Sequence, residues 1–220
     1  MPLCIGDLIL QTDDDARPMP DWVEKIEHAH DTYPTAGVIG GDVIDSGGRS
    51  FLSRVADIAT FPHYDKMYQV RNVPGVNSSY KKELTKQVGK YDISLFRGED
   101  VDYNWRAFQM GWKILYIPDA KVLHIHRSTW YGLFYQHYMY GRAHYLVRNK
   151  WPKMYSHYPK RVDSFYSLCK WIASWSWFPF LDAFMKSIKM ENQPNGFEIL
   201  TLVLINFSHR IGTSVQKHLH

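Results

Sequence analysis

Leu8, Ile9 and Leu10 form a short apolar run that ends in three consecutive carboxylates, Asp13, Asp14 and Asp15. Apolar runs of that length with a polar boundary read as buried strands feeding loops. The chain is therefore constrained to build a sheet with acidic groups at one strand end. Strand and helix signals then alternate. Arg17-Pro18-Met19-Pro20 is turn chemistry, and Asp21 with Glu24 has the spacing of a capping box, opening a helix with Trp22, Val23, Ile26 and Ala29 on its apolar face. Ala36 to Ile44 supplies the next strand, and Asp45-Ser46-Gly47-Gly48 a turn. Met67 to Asn72 reads as a strand leading into Val73-Pro74-Gly75-Val76-Asn77, and Tyr80 to Val88 as a helix stopped by Gly89. A further helix starts at Glu99, with Val101, Trp105 and Phe108 along one face and Gly111 closing it. Lys113–Ile117 and Lys121–His126 read as two strands around a Pro118-Asp119 turn, with His124 and His126 on one face. The alternation specifies an α/β domain over residues 1–126 and a mainly helical, aromatic extension over 127–220.

Composition removes other classes. With 220 residues, 45% of them hydrophobic and 22% charged, the chain has the material for a sizeable core, which excludes disordered, collagen-like and coiled-coil readings. Two cysteines, Cys4 and Cys169, can supply neither a disulfide framework nor a four-cysteine zinc site. The N-terminus lacks the basic start and apolar run of a signal peptide, and no run of about 20 apolar residues occurs to span a bilayer, so a cytoplasmic location is expected. Charge is unevenly spread. Residues 1–120 hold 13 Lys/Arg against 18 Asp/Glu, whereas residues 121–220 hold 13 against 4, together with 20 of the 34 aromatic residues. A basic, aromatic half suits an anionic membrane surface or a phosphorylated partner. Nucleic acid is not an expected partner, because no helix-turn-helix, zinc finger or aromatic RNA-binding signature is present.

Three groups of residues could carry chemistry. Asp13 and Asp15, two apart, project to the same side if the backbone there is extended, and paired hard oxygens suit Mg²⁺ or Mn²⁺; the plainer alternative is an acidic, solvated loop. Glu99 and Asp100 stand in the first turn of a helix, whose dipole favours charged carboxylates, and either a general base or ordinary N-terminal charge fits. His124 and His126 are metal ligands or half-buried imidazoles.

The order in which these residues occur is more specific. Asp-Asp-Asp-Ala-Arg-Pro-Met-Pro-Asp-Trp at 13–22 is followed by Pro-Gly-Val-Asn-Ser-Ser-Tyr-Lys-Lys-Glu-Leu at 74–84 and Val-Gly-Lys-Tyr-Asp at 88–92. Arg-Gly-Glu-Asp-Val-Asp-Tyr-Asn-Trp-Arg at 97–106, Gly-Trp-Lys-Ile at 111–114 and Pro-Asp-Ala-Lys-Val-Leu-His at 118–124 come next, and Tyr-Gly-Arg-Ala lies at 140–143. The series resembles family 2 glycosyltransferases of the GT-A fold over about residues 6–150. The resemblance implies a Rossmann-like nucleotide-diphospho-sugar transferase domain that inverts the anomeric carbon. Its donor would be a nucleotide sugar and its acceptor a glycan or lipid-linked molecule. Asp13 and Asp15 match the two ends of the family's Asp-x-Asp motif, both on the donor and Asp15 on the metal. Asp100 matches the catalytic base, with Glu99 beside it. Gly75 and Asn77 fall in the loop lining the donor sugar, and His124 matches a histidine that completes the metal site. Arg106 receives no role.

Relatives carry several strands and helices before the Asp-x-Asp motif, whereas twelve residues precede Asp13 here. This implies a partial GT-A domain lacking much of its nucleotide-binding half: either the chain is a C-terminal fragment of a larger or split gene, or a separate N-terminal polypeptide supplies that half. The alternative expectation is a non-catalytic fragment or partner subunit of a split glycosyltransferase; a metal-dependent phosphohydrolase is a more distant one. In the extension, the charge-free runs Ser128–Gly141, Trp171–Leu181 and Ile199–His209 are too short to span a bilayer. They read either as interfacial segments, peripheral at the cytoplasmic face of a membrane with Trp171, Trp175, Trp177 and Phe178 near Lys170 and Lys186 as anchors, or as helices packing their aromatics inward.

Overall fold

A computed structural model describes residues 4–46, 50–154, 162–188 and 195–219. The chain divides into two compact units: the first takes in Met1–Gly48, Phe61–Ser94 and Glu99–His126, the second Arg49–Thr60, Leu95–Gly98 and Arg127–His220.

The first unit is a six-stranded mixed sheet with helices on both faces. Its strands are β1 (Leu8–Gln11), β2 (Ala16–Pro18), β3 (Ala36–Asp45), β4 (Tyr68–Val70), β5 (Ser78–Lys81) and β6 (Lys113–His124). They lie in the order β1-β5-β3-β6-β2, with β4 also on β6; β3 and β6 run parallel and the remaining pairs antiparallel. The central strand β3 is buried over most of its length, which explains its near-continuous apolar sequence. Alternation along it separates two cores. Ile39 and Val43 pack with Trp22, Ile26 and Ala29 of α1 (Trp22–Thr32) on one face. Val38 packs with Leu84 and Val88 of α3 (Lys82–Val88) and with Tyr103 and Ala107 of α4 (Glu99–Gln109) on the other.

Several local expectations change. Asp21 makes no capping bond at the start of α1; its carboxylate pairs instead with Lys25 at 2.7 Å, and Val23 is exposed. Arg17 and Pro18 belong to β2, and because β2 ends the strand order the missing proline N–H does no harm. Ser78 to Lys81 extend before the helix begins, because β5 is held between β1 and β3. The stop at Gly89 is as read, with φ +81°. On α4 the buried side centres on Tyr103 and Ala107, since Asp102 and Asn104 turn inward to buried polar partners. The two strands expected around Pro118-Asp119 are one strand, β6, because both halves pair with β3 across an irregularity opposite Gly41 and Asp42. The turn read at 45–48 includes residues 47 and 48, outside the described ones.

The second unit is helical: α2 (Phe51–Thr60), α5 (Trp130–Lys150), α6 (Phe165–Ser176), α7 (Phe178–Ser187) and α8 (Gly196–His218). The sequence reading assigned nothing to α2, whose Val55 and Ala56 join Leu133, Ala183, Leu202 and Ile205 in this unit's core. Asn195 and Glu198 form a capping box at the start of α8, and Glu198 also pairs with Arg54 of α2 at 2.7 Å. Helices α5 and α8 cross at two glycines. A Cβ on Gly141 would stand 1.8 Å from the His209 carbonyl oxygen, and one on Gly212 would stand 1.9 Å from that of Tyr138.

Candidate active site

The carboxylates after β1 are gathered by a turn rather than by extended backbone. Ala16 N–H donates to the Asp13 carbonyl at 3.2 Å, reversing the chain over Asp14 and Asp15 and sending it into β2. Pairing of β2 with β6 sets Ala16 opposite His124, and Ile125 N–H donates to the Asp15 carbonyl at 3.3 Å. Ligand atoms of Asp13, Asp15 and His124 consequently lie within 4.8 Å of one another. Between His124 Nε2 and Asp15 Oδ1 the separation is 3.4 Å. That is long for a hydrogen bond, and of the size expected when two donors share a small cation through bonds of about 2.1 Å. Phe61 and His126 meet the buried His124 ring edge-on at 5.3 and 5.1 Å and fix its direction. The Asp13 carboxyl, though exposed on one side, is held above its ordinary range, first by partial desolvation and then by the charges of Asp15, Asp14 and Glu99. This crowding of negative charge, with two carboxylates and one imidazole as donors, fits a divalent metal.

The second part of the site lies at the N-terminus of α4. Asp100 is partly buried; its Oδ2 accepts from Gly75 N–H at 3.0 Å and its Oδ1 from Val101 N–H at 2.8 Å, so both oxygens have fixed directions. One turn on, Asn104 donates to the Asn72 side chain at 2.7 Å and the Val73 carbonyl at 2.9 Å, tying the Gly75 loop to the same helix. Burial pushes the Asp100 carboxyl up; the Gly75 N–H opposes that and the Glu99 charge adds to it. The Glu99 charge also raises Asp13, so the metal-type cluster and the helix-terminal pair share one electrostatic site. Gly75 has little room for a side chain, since a Cβ would lie 3.0 Å from Gln11 Nε2 and 3.5 Å from Asp100 Cβ.

Asn77 is buried completely and its amide is engaged throughout. Its Oδ1 accepts from Trp22 Nε1 at 2.8 Å, and its Nδ2 donates to the Asp42 and Ala120 carbonyls, each at 2.8 Å. Arg106 pairs with buried Asp102 at 3.0 Å and donates to the carbonyls of Val88 and Lys90, which anchors the segment leading to Tyr91. Three neighbours were not singled out from the sequence: Gln11, Tyr91 and Asp42. Tyr91 donates to Gln11 Oε1 at 2.6 Å and feels the Asp100 and Glu99 charges; Asp42 Oδ1 is met by His63 at 2.8 Å and the Tyr116 hydroxyl at 2.9 Å. The only sequence signal for Tyr91 is its place in the Val-Gly-Lys-Tyr-Asp segment.

A mixed sheet sandwiched by helices, with carboxylates and a histidine converging at strand ends, defines a glycosyltransferase fold of the GT-A type. Residues 8–210 match the glycosyl transferase family group 2, and the chain belongs to that family. It is 26% identical over 158 residues to the glucosyl-dolichyl phosphate glucuronosyltransferase of Haloferax volcanii, a match taking in 58% of this chain and 49% of that protein. It is 26% identical over 137 residues to the pre-mycofactocin glycosyltransferase of Mycobacterium tuberculosis, covering 57% of this chain and 28% of that one. The chain thus spans about half the length of the first of these relatives and less of the second. Among solved structures, the mannosyltransferase PcManGT from Pyrobaculum calidifontis, determined with GDP-Man and Mn²⁺, superposes with a TM-score of 0.58 at 12% identity over 98% of this chain and 63% of that one.

Proposed function

We propose that this chain is the catalytic module of an inverting, metal-dependent glycosyltransferase that moves a sugar from a nucleotide-sugar donor to a glycan or lipid-linked acceptor. The observation that carries the proposal is the meeting, in one electrostatic site, of the Asp13–Asp15–His124 donor set with an Asp100 carboxylate aimed by two backbone N–H groups. A divalent cation held by Asp13, Asp15 and His124 would neutralise the charge that develops on the departing nucleoside diphosphate. The imidazole in the set favours Mn²⁺ over Mg²⁺, which prefers oxygen ligands. Asp100 takes the proton of the acceptor hydroxyl as that oxygen attacks the anomeric carbon from the face opposite the leaving phosphate, and the configuration inverts. Burial brings the Asp100 carboxyl closer to neutral pH, where a general base is most effective. Glu99 orients the acceptor beside it. Gly75 lets the donor sugar approach closely, and Asn77 acts through the Gly75 loop, with its own amide occupied by the scaffold.

Calorimetry with UDP- and GDP-sugars in the presence of Mn²⁺ tests the proposal. Donor binding that disappears in Asp15→Asn is expected, with Asp100→Asn binding donor normally but transferring about 10²–10⁴ times more slowly. Full transfer by Asp100→Asn overturns the assigned base. Absence of donor binding at millimolar ligand supports instead the reading of a non-catalytic partner subunit.

The helical unit fits a peripheral membrane position. No helix among the described residues is long and apolar enough to cross a membrane. Trp171 and Ile172 of α6, Trp177 beside it, and Phe180, Phe184 and Met185 of α7 are nevertheless exposed, on helices that carry Lys170 and Lys186. Of the anchors expected from sequence, Trp171 and Trp177 are exposed, whereas Trp175 lies against the Arg210 guanidinium at 4.8 Å and Phe178 is half-buried. A relative named for a dolichyl phosphate substrate supports a lipid-linked acceptor.

A further inference from the structure

The mechanism leaves the Gln11 amide unused. Gln11 ends β1, two residues before Asp13. Its Oε1 accepts from the Tyr91 hydroxyl at 2.6 Å, and the Tyr91 ring lies 4.7 Å from that of Tyr103, which is completely buried. Arg106 holds the Val88 and Lys90 carbonyls and so fixes the segment that carries Tyr91. Burial, ahead of the Asp100 and Glu99 charges, raises the Tyr91 phenol, which keeps its proton and donates it to this bond. With the amide oxygen held there, the amide nitrogen is turned toward Gly75. The point at which a Gly75 side chain would begin is bounded by Gln11 Nε2 at 3.0 Å, Asp100 Cβ at 3.5 Å and Asp100 Oδ2 at 3.7 Å. Electrostatics favours this orientation of the amide, since it sets N–H groups rather than an oxygen toward the carboxylates.

Gln11 is half-buried, and no acceptor for its Nε2 hydrogens lies among the described residues; that nitrogen is not one of the sealed, unpartnered polar atoms of the fold. A donor locked on one side and unused on the other, beside the bare α-carbon of a glycine, is placed to hydrogen-bond a ligand. In an in-line transfer the sugar lies between the cation that takes the leaving phosphate and the base that meets the nucleophile. Gln11 joins those two parts of the site, through the chain to Asp13 and through its amide to Gly75 and Asp100. Its uncharged N–H pair suits a hydroxyl oxygen, whereas the surrounding carboxylates repel an anionic group. We propose that Gln11, locked by Tyr91, donates from Nε2 to a hydroxyl group of the transferred sugar and so helps select the donor. The inference rests on the transferase reading above and adds a sugar contact to it.

The test is calorimetry of the full chain with Mn²⁺, comparing UDP-glucose, UDP-N-acetylglucosamine and GDP-mannose with UDP and GDP. For the sugar nucleotide that the unaltered protein binds most tightly, Gln11→Met is expected to weaken binding about tenfold, while the matching nucleoside diphosphate binds as before. Tyr91→Phe, which removes the lock and keeps the amide, should show the same selective loss at a smaller size, and it decides the question if Gln11→Met does not fold. Unchanged affinity of the variants for the sugar nucleotide, or an equal loss for the nucleoside diphosphate, overturns the proposal and leaves the transferase reading standing. If the unaltered protein binds none of the five compounds, both are overturned.

Discussion

Asp100 concentrates several requirements in one side chain. In its proposed role it has to be ionised to accept a proton, yet burial and the Glu99 charge raise its pKa above the ordinary 3.8, against the opposing pull of the two N–H groups that aim it. The sign of the pH dependence follows: the working form is the carboxylate, so transfer is lost as pH falls through the raised folded-state value. The acid limb of kcat/KM is expected above 3.8 and should vanish in Asp100→Asn, as a pH–rate profile will show. Asn77 yields a different prediction. Removing its amide by Asn77→Ala strands the Trp22 indole N–H and two carbonyls, with a penalty of about 1–3 kcal/mol for each buried group left unsatisfied. Chemical denaturation should therefore register a loss far above that of an ordinary surface substitution. Asp13, Asp15, Glu99 and Asp100 were legible as residues because carboxylate clusters stand out in sequence. Asn77, Arg106 and Tyr91 were not legible in their roles, because their hydrogen-bond partners outside their own elements, 16 to 80 residues away, leave no local pattern.

Elements were legible where periodicity and punctuation agreed. The α1 helix, the central strand β3 and the Gly89 stop all follow from short-range rules. β2 and the β5 start depart from the sequence expectation because strand partners, β6 for β2 and both β1 and β3 for β5, rather than local propensity extend those residues. The pair α5 and α8 shows the same limit from another direction: Gly141, part of the Tyr-Gly-Arg-Ala segment, is needed for a close crossing that only the folded chain defines. Gly141→Ala and Gly212→Ala drive a methyl group into a backbone carbonyl of the opposite helix, so each should lower stability by at least about 1–3 kcal/mol. Both changes force the same two helices apart, and the double variant is expected to lose less than the sum of the singles when measured by urea unfolding.

At the scale of the molecule, charge divides between an acidic first half and a basic second half of the sequence. The sheet unit gathers the carboxylates, while the helical unit leaves aromatic residues of α6 and α7 exposed on helices that carry Lys170 and Lys186. The chain should therefore float with anionic vesicles at low salt and be released as ionic strength rises. Trp177→Ser with Phe180→Ser should abolish flotation without altering the helical circular dichroism; binding that persists in this variant would exclude α6 and α7 as the contact.

Sequence alone determined the α/β class, the family, and the identity of the acidic and histidine residues, because strand and helix periodicities and the order of short motifs are written locally. Tertiary structure alone decided that a turn and the β2–β6 register, not extended backbone, bring Asp13, Asp15 and His124 together. It also decided that Gly75 and Val101 aim Asp100, and that α2, remote in sequence from the other helices, completes the core of the helical unit. The turn at Asp13 and the Val101 bond are local, but the β2–β6 register, the Gly75–Asp100 bond and the packing of α2 join residues tens to more than a hundred positions apart, which no window of sequence contains.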